Sequence, residues 1–331
     1  MTRSHRRPSF VVGLTLAIAI ATGATSTVTA TFPGSNGRIA FSQDNGLGDQ
    51  LFTANADGSD IRPLIDAANS FPGGLPDWSP DGKTILFDSD HASTEAPPGP
   101  GFHIDVYAVS ANGGTPRRLT FSGLNLKASW SPDGRRIAFE RSDADCTDDH
   151  ISIMNADGSN IRDLTTNPYG NCQTEEDASF SPDGEHIVFQ RHRLAVDHQE
   201  SALFVMRSDG RHLHRITPWA MEAGQPDWSP NGKWILFNSS TENFDPLPEL
   251  YTIHPDGNGL TRLTDPTGSD ASIEPTWSPD GRQILFNRLH FAPGVFESSL
   301  WVMNANGTEQ TRLPGTMQSS NPDWGPRTAR R

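Results

Sequence analysis

The chain has 331 residues, 26 of them Lys or Arg and 40 Asp or Glu, for a formal net charge of −14. That acidic balance argues against a nucleic-acid surface as the main activity, because phosphate binding needs clustered positive charge. With 17 Phe and 8 Trp, the chain also carries too many apolar anchors to stay disordered.

The N-terminus reads as a leader. Arg3, Arg6 and Arg7 precede an uncharged run, residues 10–21, and small residues follow up to Val28-Thr29-Ala30. This is the order of a secretory signal, with cleavage expected near Ala30. The run is short for a membrane span, which needs ~20 apolar residues. Residues 1–30 are therefore expected to be removed, residues 31–326 to form the folded body and residues 327–331 a basic disordered tail. The mature chain carries no expected membrane span. Two cysteines in an exported chain, Cys146 and Cys172, predict a disulfide.

Repeats dominate the rest. DWSPDG stands at 77–82, SWSPDG at 129–134, SFSPDG at 179–184, DWSPNG at 227–232, TWSPDG at 276–281 and a truncated DWGP at 323–326. A second signature interleaves with the first: NADG at 55–58, SANG at 110–113, NADG at 155–158, RSDG at 207–210, HPDG at 254–257 and NANG at 304–307. Each unit reads as four short strands. One ends in the aromatic residue, a turn follows in which Pro sets φ and Gly supplies positive φ, and strands of the types I-A-F, L-F-V-M and T-R-L-T complete it. Four strands repeated six times predict an all-β, six-bladed β-propeller of antiparallel sheets. A second-type strand at residues 37–41 has no W-S-P before it, and a first-type strand at 321–324 has nothing after it. Joining them should complete a blade and remove two sheet edges.

The motif Trp130-Ser131-Pro132-Asp133-Gly134 with Ile137-Ala138-Phe139, then Asn155-Ala156-Asp157-Gly158 and Leu164-Thr165, resembles the repeat of the TolB propeller family. TolB is the periplasmic protein of the Tol-Pal envelope system. The resemblance covers residues 37–326 and implies the propeller fold, without the N-terminal α/β domain that TolB carries. The same repeats occur in prolyl-oligopeptidase-like enzymes and oligogalacturonate lyases, so the fold alone does not assign the function.

Loop lengths separate two faces. The aromatic-to-Phe and turn-Gly-to-apolar spacings are constant. The segments 88–103, 141–149, 165–176, 190–201, 238–248 and 287–298 vary, and belong on the opposite face, where binding residues usually sit. Three residues before each aromatic stand Leu75, Lys127, Asp177, Gln225, Glu274 and Asn321, a mostly polar ring expected around the axial mouth on the variable face. As solvated groups they are expected to add little stability. Arg118, Arg215, Arg262 and Arg312 recur on the outer strand and read as edge protection.

No G-x-S-x-G elbow is present, which argues against a serine hydrolase. His91, His103, His150, His192, His198 and His290 fall on or near the variable loops without tight ligand spacing, and Asp143, Asp145, Asp148 and Asp149 lack the Gly and closing Glu of a calcium loop. No catalytic residue, metal or cofactor is assigned. The expected function is an exported, monomeric, non-catalytic scaffold at the cell envelope or outside the cell, binding a protein or peptide on the variable face. The alternative is a carbohydrate-active propeller enzyme with axial carboxylates.

Overall fold

The computed structural model describes residues 34–44, 49–65, 73–90, 104–121, 124–142, 149–166, 174–194, 199–240, 247–265 and 268–328. Cys146 and Cys172 lie outside these residues, as do the leader, Asp143, Asp145, Asp148, His91, His103 and His198. The described residues form six four-stranded antiparallel sheets, with a single 3-10 turn at Trp219–Met221.

Five blades run in chain order: residues 74–118, 124–163, 175–215, 223–262 and 270–317 hold blades 2 to 6. Blade 1 is made from both ends. Its innermost strand is Ser319–Pro326, which pairs antiparallel with Asn36–Asp44, placing Trp324 opposite Ile39 and Asp323 opposite Ala40. The propeller closes as the repeat arithmetic predicts.

The core is a ring of six apolar clusters, each between two neighbouring blades. In the second strand of blade 2, alternation sends Ile85 and Phe87 toward blade 1 and Leu86 toward blade 3. The recurring Phe of this strand (Phe41, Phe87, Phe139, Phe189, Phe237 and Phe286) is fully buried in every blade. Trp324 is 2% exposed and packs with Leu285, Leu300 and Val302 of blade 6, so the last strand of the chain completes the cluster between blades 6 and 1.

The turn motifs have local causes. In S-P-D-G the serine hydroxyl donates to the Asp two residues on and accepts the amide five residues on, as in Ser131 to Asp133 at 2.6 Å and Arg136 to Ser131 at 2.9 Å. In L-T the threonine hydroxyl accepts an amide of the third strand: Val106 to Thr120, Ile151 to Thr165, Leu203 to Thr217 and Leu250 to Thr264, at 2.8–3.0 Å. The glycine of A-D-G answers two demands. Gly158 has φ +89°, and a Cβ there would stand 2.7 Å from the Leu119 carbonyl oxygen of the preceding blade. Gly158→Ala should therefore cost more than about 1 kcal/mol, read from the urea midpoint. An unchanged midpoint would refute the close-approach argument.

The outer-strand arginines do more than guard an edge. Arg118 pairs with Asp105 at 2.6 Å and donates to the Thr120 carbonyl, while Arg262 donates to the Thr264 carbonyl and lies over the Tyr251 ring. They clamp the fourth strand to its own blade.

Candidate functional site

All six ring positions line one axial cavity of roughly 180 Å³. Each is a left-handed, non-glycine residue: Leu75 φ 54°, Lys127 52°, Asp177 55°, Gln225 51°, Glu274 52° and Asn321 50°. Each sits in a register shift of the innermost strand, such as Leu126/Ser129 in blade 3 and Ile273/Thr276 in blade 6. A β-bulge turns one side chain out of the alternating pattern. Here the same bulge, six times over, turns six side chains onto the axis. Left-handed φ at a non-glycine costs on the order of 1 kcal/mol or more per residue and persists only where the surroundings enforce it.

The surroundings enforce it through amides. A bulged residue loses its ladder partner, and its buried N–H needs another acceptor. The preceding blade supplies one. The Lys127 amide donates to Asp88 Oδ2 at 2.6 Å, Gln225 to Gln190 Oε1 at 3.3 Å, Glu274 to Gln225 Oε1 at 3.1 Å and Asn321 to Glu274 Oε2 at 2.5 Å. One turn deeper, the residue before the aromatic does the same: Asp323 accepts the Trp78 amide at 2.7 Å, Asp77 the Trp130 amide at 2.9 Å and Asp227 the Trp277 amide at 2.8 Å. The ring is thus half-buried and hydrogen-bonded rather than freely solvated.

Its charges are uneven. Lys127 Nζ pairs with Glu176 and lies 3.2 Å from Asp177 Oδ1, and His192 Nε2 stands 3.4 Å from Glu176 Oε1. Burial works against the Lys127 ammonium, but Asp177, Glu176 and Glu140 outweigh it and hold its pKa above the ordinary lysine value. Glu176 is held low by Lys127 despite burial. Burial raises Asp177, Glu274 and Glu140, and pushes Asp88 up to about 8. Deeper in the channel burial pushes Asp227 to about 7 and Asp323 to about 6, and burial with the charges of Asp323 and Asp227 raises Asp77.

The sequence marked the ring but missed its supports. Asp88, Glu140, Gln190 and Asn287 each follow the buried Phe of the second strand, so a polar residue after I-x-F was the available signal. It also took 190–201 and 287–298 as loops. Both are largely strand, continuing the hairpins His186–Leu194 with Gln199–Arg207 and Gln283–Ala292 with Val295–Asn304. The second hairpin carries exposed Phe291 and Phe296, 5.4 Å apart between ring centres. Among the described residues Asp183, Glu185 and His186 group closely enough to ligate a metal, but Asp183 lies in the S-P-D-G turn, where it already accepts Ser181 and the Glu185 amide, and Glu185 and His186 follow directly on it.

The model of the TolB beta propeller domain, PD40, matches residues 16–230. The chain belongs to the TolB beta propeller family. The crystal structure of TolB from Acinetobacter baumannii superposes with a TM-score of 0.69 at 21% identity, covering 88% of this chain and 67% of that one. In sequence, this TolB-type propeller is 26% identical over 181 residues to the uncharacterized peptidase YuxL of Bacillus subtilis, 54% of this chain and 23% of that protein. It is 32% identical over 122 residues to the Tol-Pal system protein TolB of Anaeromyxobacter dehalogenans, 36% of this chain and 24% of that protein. The chain therefore spans about a quarter of the length of each of these two relatives. Among the described residues no helix is long and apolar enough to cross a membrane.

Proposed function

We propose that this propeller is an exported, monomeric binding scaffold that grips a protein or peptide partner on its variable-loop face, with the axial ring as the centre of the contact. The observation that carries this reading is the sixfold bulge. Six strained, non-glycine residues converge on one cavity, and backbone strain of this kind gathers where a surface is preorganised for a ligand. An apolar cavity of about 150 Å³ holds a benzene, so one of this size admits a side chain of a partner rather than a folded segment. Belonging to the family of a Tol-Pal system protein supports a role at the envelope, and the leader supports export.

Affinity capture from an envelope extract tests this directly. The native protein should retain a partner that a variant carrying Gln225→Arg and Asn321→Arg releases, because two long cations fill the mouth. Equal retention by both proteins would move the contact away from the axis.

A further inference from the structure

The sixfold repeat gives every surface position an internal comparison. On the outer edge of blade 1, Arg62 pairs with Asp60 at 2.7 Å, and Asp60 also takes Arg38. On blade 2, Arg118 pairs with Asp105, and Arg117 donates to the Asp157 carbonyl of blade 3. On blade 3, Asp163 takes Arg141 at 3.1 Å. Blade 4 departs from this pattern. Its segment 207–215 has His212 where blade 1 has Asp60, and Arg215 where blade 3 has Asp163. Arg207, Arg211 and Arg215 are all exposed, and among the described residues none of their three guanidinium groups makes an ion pair or a hydrogen bond. Asp209 is the one carboxylate of the segment and is taken up by the Arg211 amide. A chain of net charge −14 thus leaves a strip of uncompensated cations along one blade.

The strip also has a built anchor. Arg118 and Arg262 donate back to a carbonyl of their own strand, but Arg215 does not. Its guanidinium lies over the Trp219 ring, 5.6 Å from the ring centre. Trp219 opens the 3-10 turn Trp219–Met221, which buried Met221 pins into the core and whose Met221 carbonyl accepts the Ser239 hydroxyl. Arg193 shares the same ring at 4.5 Å, but Glu200 already neutralises it. A guanidinium resting on an indole is weakly hydrated and has fewer rotamers to lose when a carboxylate binds it. Leu213, 41% exposed, adds an apolar contact between Arg211 and Arg215.

We propose that the outer edge of blade 4 docks an acidic, extended segment of a partner protein, with Arg215 on Trp219 as the anchor and Arg211 and Arg207 taking further carboxylates. This surface lies apart from the axial mouth and does not depend on the axial reading. The strand His214–Arg215 is the last of its sheet, so an extended segment can lie alongside it. Each guanidinium fork matches a carboxylate with two parallel hydrogen bonds. Charge also selects a segment over a broad anionic surface. At physiological salt the Debye length is about 8 Å, so a peptide meets the strip alone, whereas a phospholipid surface would also face the acidic remainder of the chain.

The test is fluorescence anisotropy of a labelled hexa-glutamate amide titrated with the purified protein at physiological salt, with hexa-glutamine amide as the neutral control. Only the glutamate peptide should bind saturably. The Arg211→Glu, Arg215→Glu double variant should weaken it about tenfold or more. The Lys233→Glu, Arg282→Glu double variant makes the same change of net charge on exposed turns of blades 5 and 6, and should leave binding nearly unchanged. Arg215→Lys keeps the charge but gives up the planar fork on Trp219, and should weaken binding several-fold, a loss that general attraction to positive charge does not produce. All these positions are exposed, so each variant should melt like the parent. No saturable binding, equal loss in both double variants, or binding of phosphatidylglycerol vesicles in place of the peptide would overturn the proposal.

Discussion

A chain lacking residues 321–331 should fail to give the cooperative melt of the intact protein and should bind a hydrophobic dye. The deletion removes Trp324, buried between blades 6 and 1, and most of the strand that pairs with Asn36–Asp44. Loss of a buried aromatic side chain alone costs about 3–5 kcal/mol. The deletion also strips the inner strand from blade 1 and removes the Asp323 carboxylate that holds the Trp78 amide of blade 2. Domains are stable by only about 5–15 kcal/mol, so the sum approaches the whole. Thermal unfolding followed by tryptophan fluorescence checks it. A truncated chain that melts like the intact one would mean that closure by this strand adds nothing.

The second large effect is on pH. Burial raises Asp227 to about 7 and Asp323 to about 6 from an unfolded value near 3.8. Between about pH 4 and 7 the folded protein therefore binds more protons than the unfolded chain, and stability falls as pH rises across that window. Glu176 has the opposite sign, but its stabilisation is lost only below about pH 4.5, outside a comparison of pH 5 with pH 8, whereas His192, whose pKa burial lowers, opposes the aspartates inside that window. At about 1.4 kcal/mol per pKa unit, the two aspartates make the protein less stable at pH 8 than at pH 5 by on the order of 4 kcal/mol. Asp323→Asn keeps an oxygen for the Trp78 amide and removes the charge. It should raise stability at pH 8 by about 1–3 kcal/mol and flatten the slope, measured by urea denaturation at both pH values. A variant destabilised equally at both would show that Asp323 is charged throughout and held by its hydrogen bond.

The fold was legible because a repeat states its architecture six times. The constant spacing from Trp130 to Phe139 and its counterparts gave the turn face, and the lone strands at 37–41 and 321–324 gave the closure. The ring was legible as a position, three residues before each aromatic. Its strain was not, because Lys127 and Glu274 are residue types with no preference for left-handed φ, and the bulge that forces it arises between strands. Asp88 and Glu140 escaped notice because they follow a buried Phe and pass as ordinary solvent-facing residues of an alternating strand. Asp88 shows its role only where blades meet, as the acceptor of the Lys127 amide of the next blade. The strand continuations through 190–194 and 287–292 were hidden by charged and histidine residues that break the apolar alternation.

The central claim is that recognition occurs at the axial mouth on the variable face. Hydrogen exchange of the propeller with and without its captured partner addresses it most directly. The account predicts added protection in segments spanning Lys127, Asp177, Gln225 and Glu274; the bulged amides of Lys127, Gln225 and Glu274 are held by side-chain acceptors from neighbouring blades. Protection confined to the A-D-G-type turns at 155–158, 207–210 and 304–307, which lie outside the cavity lining, would contradict it.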